Sequence, residues 1–124
     1  NVMHGMKRDD KGYSNFGEAY FSMINPGMIK AWKRHREMTC NFVVPAGKIL
    51  MVLIDERNES KDNLDEIILS PSNYLRLTVP PMIWVGFQGI DDQPSMLLNI
   101  GSIKHDPDES DNRDINEIAY NWRK

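Results

Sequence analysis

Short apolar segments, separated by proline, glycine or polar turns, follow one another along most of this chain. The clearest is Ile49–Ile54, which lies between Gly47 and a polar tract that begins at Asp55. Similar segments are Phe42–Val44, Glu66–Leu69, Tyr74–Val79, Met82–Phe87 and Met96–Ile100. Their length and β-branched content favour strands over helices. The sequence therefore predicts an all-β sandwich or barrel.

The remaining segments complete a single domain over residues 1–124, an ordinary size for one core. Residues 1–13 are polar and charged, which predicts a flexible or exchanged N-terminal segment. Lys104–Asp114 is almost wholly polar and is expected to be a surface loop. Ile115–Trp122 becomes apolar again, so we expect a short C-terminal arm that docks on the barrel.

Charge and hydropathy exclude several classes of function. The formal net charge is -3, which argues against nucleic acid as a partner. The apolar runs are too short to span a bilayer, and the polar N-terminal residues show no signal peptide. A lone cysteine, Cys40, cannot form an internal disulfide, which fits a cytoplasmic protein.

A basic cluster surrounds Trp32 in this acidic chain. Its members are Lys30, Lys33, Arg34, His35 and Arg36. A local positive cluster on an acidic protein indicates a specific anionic ligand more than a general polyanion. The alternative is a solvated basic face without a ligand.

The spacing of these residues predicts which of them share a face. If Met28–Phe42 is one strand, Lys33, His35 and Asn41 lie on one face, and Lys30 and Trp32 lie on the other. Polar side chains on an inward face are costly to bury without a ligand, so a polar pocket at the barrel mouth is expected.

A metal site is not expected from the same residues. Barrels that carry a metal use two imidazoles one residue apart and a third from a later strand. Here Lys33 occupies the first position, only His35 remains, and Pro80–Phe87 offers no ligand. His105, Asp106, Asp108 and Glu109 are more typical of a solvated acidic loop than of a calcium site.

Three motifs together resemble one enzyme family. They are P-G-M-I-K-A-W-K-R-H, P-A-G-K-I-L-M-V-L-I-D-E-R and N-Y-L-R-L-T-V-P-P-M-I-W-V-G-F, within a resemblance that covers Phe16 to Trp122. Their order and spacing resemble the dTDP-4-dehydrorhamnose 3,5-epimerase family. The resemblance implies a cupin-type jelly-roll β-barrel, a homodimer, and metal-free action without a cofactor on a nucleotide-linked 4-keto sugar. It also implies a role in surface-polysaccharide or deoxysugar biosynthesis.

The resemblance also implies roles for individual residues. In the family, a histidine removes a proton next to the keto group, and often a tyrosine returns one from the other face. Lys33 stands at the histidine position, with His35 two residues further on. Val85 stands where a second histidine is usual, and Asn99 lies near the tyrosine position.

Substrate binding is expected from a second set of residues. Lys30 and Arg57 would hold the diphosphate, and Trp32 or Trp84 would stack on the base or sugar. Asn41 and Asn99 are polar residues within apolar strands and complete the expected binding set.

Two functions remain open at this point. The first is an epimerase or isomerase in which Lys33 or His35 is the base and nearby cations hold an enolate. The second is a non-catalytic protein of the same fold, which binds a sugar nucleotide or serves as a partner subunit. The sequence alone leaves open whether the chain is an enzyme.

Overall fold

The computed structural model describes residues 2–58 and 63–123, and it confirms the all-β prediction. The strands in these ranges are β1 (Glu18–Ile24), β2 (Ile29–His35), β3 (Cys40–Ala46), β4 (Ile49–Ile54), β5 (Leu64–Leu69), β6 (Leu77–Val79), β7 (Trp84–Gly89), β8 (Ser95–Gly101) and β9 (Ser110–Asn112). Short 3-10 turns at Pro107–Glu109 and Ile115–Glu117 flank β9. No helix in the described ranges is long and apolar enough to cross a membrane.

The strands form two antiparallel sheets that pack as a cupin-like jelly roll. One sheet has the order β1-β8-β3-β6 and the other the order β5-β4-β7-β2-β9. Most consecutive strands belong to different sheets, so the chain crosses repeatedly between the two layers. Ile24, Phe42 and Leu97 from the first sheet meet Met51 and Leu69 from the second in the main core.

Strand β1 is absent from the segments expected from the sequence, because its polarity pattern is inverted. Phe21 and Met23 are 63% and 54% exposed on its outer face, whereas Tyr20 and Ser22 on the opposite face line a cavity. A strand with an apolar outer face and a partly polar inner face lacks the usual alternation.

The prediction of one strand from Met28 to Phe42 is wrong. Strand β2 ends at His35, residues 36–39 turn the chain, and β3 begins at Cys40 in the other sheet. The turn resets the alternation of side chains, so Asn41 does not share a face with His35.

The N-terminal segment contacts its own chain around β6. The Tyr74 hydroxyl donates to the His4 carbonyl at 2.6 Å, and Arg76 forms an ion pair with Asp10 at 2.9 Å. Exchange of this segment between protomers stays a prediction.

The C-terminal arm docks on the outer face of the five-stranded sheet, as the sequence predicts. Trp122 lies 5.4 Å from Trp32 between ring centroids, and Tyr120 lies 6.3 Å from Trp32 at 89°. The amide of Arg123 donates to Gln88 Oε1 at 3.0 Å. These contacts bury Trp32 in a second apolar cluster, on the side of the sheet opposite the main core.

Candidate active site

A cavity of about 410 Å³ lies between the two sheets. Its volume falls within the roughly 300–1,000 Å³ of small-molecule sites. The polar residues that line it are Tyr20, Ser22, Lys30, Lys33, His35, Asn99, Asn112 and Arg113, and its apolar lining includes Met38, Phe42, Ile83, Phe87 and Leu97. An apolar floor with a few convergent polar groups is the usual form of a ligand site.

A β-bulge in β2 brings three of these polar residues to the cavity. Lys30 pairs with Phe87 and Lys33 pairs with Val85, so two residues of β2 stand opposite the single Gly86 of β7. An extra residue on one strand reverses the alternation of side chains beyond it. Lys30, which precedes the bulge, therefore lines the same cavity as Lys33 and His35.

His35 forms a close pair with a buried carboxylate. Its Nδ1 lies 2.6 Å from Glu109 Oε1, and the Glu109 side chain is only 2% exposed. The other carboxylate oxygen, Oε2, accepts the backbone N–H groups of Glu37 and Met38, each at 3.0 Å. With Nδ1–H donating to the carboxylate, Nε2 is the nitrogen of His35 left to accept a proton.

The environment of Glu109 keeps its carboxyl group ionised. Burial raises the pKa of this carboxyl, but hydrogen bonds from the Glu37 amide, His35 and the Met38 amide outweigh that effect. The pKa of Glu109 therefore lies below its usual range. A fixed carboxylate orients the imidazole and stabilises the imidazolium that forms when Nε2 takes up a proton.

The basic cluster divides into two groups. Arg34 and Arg36 both pair with Asp111 of β9. Lys30 and Lys33 are exposed at the cavity and make no ion pair among residues 2–58 and 63–123. Two uncompensated ammonium groups at a cavity attract an anionic ligand.

Arg113 adds a further cation to the cavity lining. It donates to Glu56 at 2.9 Å, and its guanidinium lies 4.3 Å from the ring centroid of Trp84. Arg34 lies 4.7 Å from the same indole ring. The Trp84 ring thus makes cation–π contacts with two guanidinium groups.

Several predicted binding residues lie elsewhere. Asn41 is outside the cavity lining, and it bonds to the Gly12 carbonyl, Arg76 and Thr78, because β3 presents it to the other side of its sheet. Arg57 pairs with Asp55 at 2.8 Å in an exposed turn, because a neighbouring carboxylate is two residues away.

The two tryptophans expected to stack on a ligand are core residues. Trp84 belongs to the outer cluster and is absent from the cavity lining. Trp32 reaches the lining but is 2% exposed and packs against the C-terminal arm. The prediction that Trp84 stacks on a ligand is therefore wrong. Strand β7 directs its ring to the outer face of the sheet, where it packs in the apolar cluster. The roles predicted for Lys30, Lys33, His35 and Asn99 stay predictions, and all four line the cavity.

Sequence reasoning missed Glu109, which was assigned to a solvated loop. Lys104–Asp114 instead contains a 3-10 turn and β9, which pairs with β2 through His35 and Ser110. Asp106 caps the turn and Pro107 occupies its first position, a signal that marks a helical start in sequence. Strand β9 itself, Ser-Asp-Asn, gives no signal because these residues are rare in strands.

The described residues hold no group of three or more His, Cys, Asp or Glu side chains placed to bind a metal ion. Fold and site together define a class: a cupin-type barrel with an imidazole–carboxylate pair in a basic cavity.

Comparisons with known proteins identify the family. No family model matches the chain. A dTDP sugar isomerase from Desulfovibrio desulfuricans G20 has 39% sequence identity and a TM-score of 0.90, over 98% of this chain and 80% of that one. The chain belongs to the dTDP-4-dehydrorhamnose 3,5-epimerase family, as a divergent member.

Two curated relatives are linked to glycan synthesis by their names. The probable low-salt glycan biosynthesis epimerase of Haloferax volcanii is 34% identical over 100 residues. That match spans 78% of this chain but only 64% of the relative, which is less than two thirds of its length. The spore coat polysaccharide biosynthesis protein SpsL of Bacillus subtilis is 28% identical over 122 residues, 93% of this chain and 81% of its own.

Proposed function

We propose that this protein is an epimerase or isomerase of a nucleotide-linked 4-keto sugar, acting by proton abstraction next to the keto group. The pairing of His35 with buried Glu109 at the cavity carries the proposal. The names of the relatives support a place in surface-polysaccharide or deoxysugar biosynthesis.

The cavity supplies a base, a cation for the enolate and a cation for the diphosphate, and a solvent proton completes the new C–H bond. His35 Nε2 takes the proton from the carbon next to the carbonyl, while Glu109 stabilises the resulting imidazolium. Lys33, beside His35 on the same strand, stabilises negative charge on the enolate oxygen. Lys30, which makes no ion pair among the described residues, holds the diphosphate at the edge of the cavity.

His35 is a better base than Lys33 in this arrangement. Lys33 is exposed, and no ion pair among the described residues orients its ammonium group. His35 is held by Glu109 through Nδ1, which leaves Nε2 as the acceptor that faces a substrate.

Catalysis is favoured over binding alone because of Glu109. Binding a diphosphate requires the cations at the cavity but not an ionised carboxylate buried beside an imidazole. Burying such a carboxylate costs several kcal/mol before its hydrogen bonds offset it. A buried carboxylate that orients an imidazole is useful for proton transfer, whereas ligand binding alone does not need it.

The protein is further proposed to act as a homodimer in the cytoplasm. Phe16, Phe21 and Met23 are 60%, 63% and 54% exposed around the edge strand β1, and such a patch supports a contact between copies. Free, buried Cys40 is compatible with a reducing compartment. Sedimentation equilibrium tests the dimer.

Solvent deuterium exchange tests the proposed reaction. The protein is incubated with a dTDP-4-keto-6-deoxy sugar in heavy water, and the ring protons are followed by NMR. Loss of a proton signal next to the carbonyl is expected for the wild type and for His105→Gln, an exposed control. His35→Gln should lose about 10²-fold or more of that rate. Exchange by His35→Gln at the wild-type rate would remove His35 from the reaction.

A further inference from the structure

The C-terminal arm covers the outer face of strand β2, whose inner face carries the basic residues of the cavity. Its main contact on β2 is Trp32, which is 2% exposed. The Trp122 ring lies 5.4 Å from the Trp32 ring, and the Tyr120 ring lies 4.6 Å from the Trp122 ring. The Trp32 Nε1–H group donates to the Ile115 carbonyl at 3.3 Å, where the arm begins. The arm therefore holds Trp32 through ring contacts and through a hydrogen bond.

Trp32 is also one of the two residues that form the β-bulge of β2. Ala31 and Trp32 stand opposite the single Gly86 of β7. A Cβ atom on Gly86 would lie 2.8 Å from the Trp32 ring, so the indole rests directly on the Gly86 backbone. On the other edge of β2, the Trp32 N–H donates to the Arg113 carbonyl at 3.0 Å, and the Arg113 N–H donates to the Trp32 carbonyl at 3.1 Å. The bulge is thus fixed by β7 on one edge, by Arg113 on the other, and by the arm on its outer face.

The bulge determines which face of the sheet Lys30 occupies. In a regular strand, residues separated by three positions lie on opposite faces, so Lys30 would point away from the face of Lys33. The extra residue brings Lys30 to the cavity, where it is exposed. His35 depends less on the bulge, because it lies beyond it and is held by Glu109 at 2.6 Å and by the pairing of β2 with β9.

We propose that the C-terminal arm positions Lys30 for the diphosphate, acting through Trp32 and the bulge, an inference that rests on the proposed function. Packing of Trp122 on Trp32 keeps the indole on Gly86, because burial of aromatic rings is strongly favourable. Loss of that packing exposes the indole and lets β2 relax toward regular alternation, which moves Lys30 off the cavity face. Binding of the diphosphate then weakens, while His35 and Glu109 stay paired.

A double-mutant cycle on nucleotide binding tests this proposal. The affinity for dTDP is measured by isothermal titration calorimetry for wild type, Trp122→Ala, Lys30→Ala and the double variant. Lys30→Ala should bind about tenfold more weakly, as expected for the loss of one bond to a charged group. Trp122→Ala should bind several-fold more weakly, and the double variant should stay within about twofold of Lys30→Ala. Losses that multiply in the double variant would show that the arm acts independently of Lys30 and would overturn the proposal, as would an unchanged affinity in Trp122→Ala.

Further variants distinguish positioning from a general loss of stability. Tyr74→Ala is the matched control, because Tyr74 also holds a terminal segment, through the His4 carbonyl, but lies outside the cavity lining. Its affinity for dTDP should match that of the wild type, and Trp122→Phe, which keeps a ring against Trp32, should recover most of the affinity. Equal weakening by Tyr74→Ala and Trp122→Ala would contradict a specific role of the arm. If urea denaturation shows that Trp122→Ala is unfolded, Trp122→Leu replaces it in the cycle.

Kinetics give a readout that a general loss of structure would not move. In solvent exchange with the dTDP-4-keto-6-deoxy sugar, Trp122→Ala should raise KM several-fold and leave kcat within a few-fold of wild type, because only ground-state binding is weakened. A fall in kcat at unchanged KM would refute the proposed role of the arm.

The wild type separates this proposal from the proposed function. Binding of dTDP without exchange of ring protons would refute the proposed reaction, while the double-mutant cycle would still decide the role of the arm. Absence of dTDP binding by the wild type would refute the diphosphate role of Lys30, and this proposal with it.

Discussion

Replacement of Glu109 by glutamine tests the central argument about the site. The change keeps the shape of the side chain, and the amide oxygen can still accept the N–H groups of Glu37 and Met38. The new NH₂ group then faces His35 Nδ1, where the carboxylate oxygen lay at 2.6 Å. Because an amide N–H donates, Nδ1 must accept, and the imidazole proton moves to Nε2.

Both stability and activity should respond to this substitution. The hydrogen bonds that Glu109 accepts are replaced by weaker bonds to a neutral amide, which lowers the free energy of unfolding by about 1.5–3 kcal/mol. The tautomer with a proton on Nε2 cannot act as the base, so the exchange rate should fall by about 10²–10⁴-fold. That fall corresponds to about 3–5 kcal/mol in the activation free energy.

Three measurements check this reasoning independently. Nitrogen-15 NMR of the imidazole reports whether Nδ1 or Nε2 carries the proton, without any substrate. Solvent exchange reports the rate, and urea denaturation reports the stability. Glu37→Gln is the matched control, because Glu37 is exposed and contacts the site only through its backbone. An unchanged tautomer, or an exchange rate within a few-fold of wild type, would refute the role assigned to Glu109.

Three further predictions follow from packing and ionisation. Gly86→Ala should lower the free energy of unfolding by about 1–3 kcal/mol in urea denaturation, because the new Cβ would lie 2.8 Å from the Trp32 ring. Gly5→Ala is the control, because its Cβ would make only ordinary contacts. Equal stability of the two variants would contradict the packing argument. Cys40 should resist thiol reagents at pH 8 until the protein is unfolded, because burial raises its pKa to about 11; rapid native labelling would contradict this. The folded state holds the pKa of Glu109 below its reference value of 4.5, so its contribution to stability is present above that value and is lost as the pH falls through the lowered pKa. The difference in unfolding free energy between wild type and Glu109→Gln should therefore shrink below about pH 4.5, and a constant difference down to pH 2 would show that Glu109 is not the group responsible.

The fold class could be predicted from local patterns because strand signals are short-range. Ile49–Ile54 is apolar throughout, lies between turn residues and becomes β4 with the expected bounds. Strand β1 could not be predicted in the same way, because Tyr20 and Ser22 face a cavity while Phe21 and Met23 face outward. The alternation of its side chains can be interpreted only when the position of the cavity is known.

Only part of the site could be predicted, because some of its residues are neighbours in sequence and others are not. The sequence by itself determined that Lys30, Lys33 and His35 form a cluster, because they are neighbours in the chain. Only the tertiary structure decided which of them meet: a bulge in β2 brings Lys30 onto the face of Lys33 and His35. Such a register shift depends on the pairing of β2 with β7, and the alternation of residues within one strand does not predict it.

The partners of His35 depended still more on tertiary structure. Glu109 lies 74 residues away in sequence, in a segment whose composition is typical of a solvated loop. Tyr20 and Asn99 meet only because β1 and β8 pair in one register. Local sequence determines strands and clusters through backbone and solvation preferences, whereas the acid–base geometry arises from contacts between segments that only the folded chain brings together.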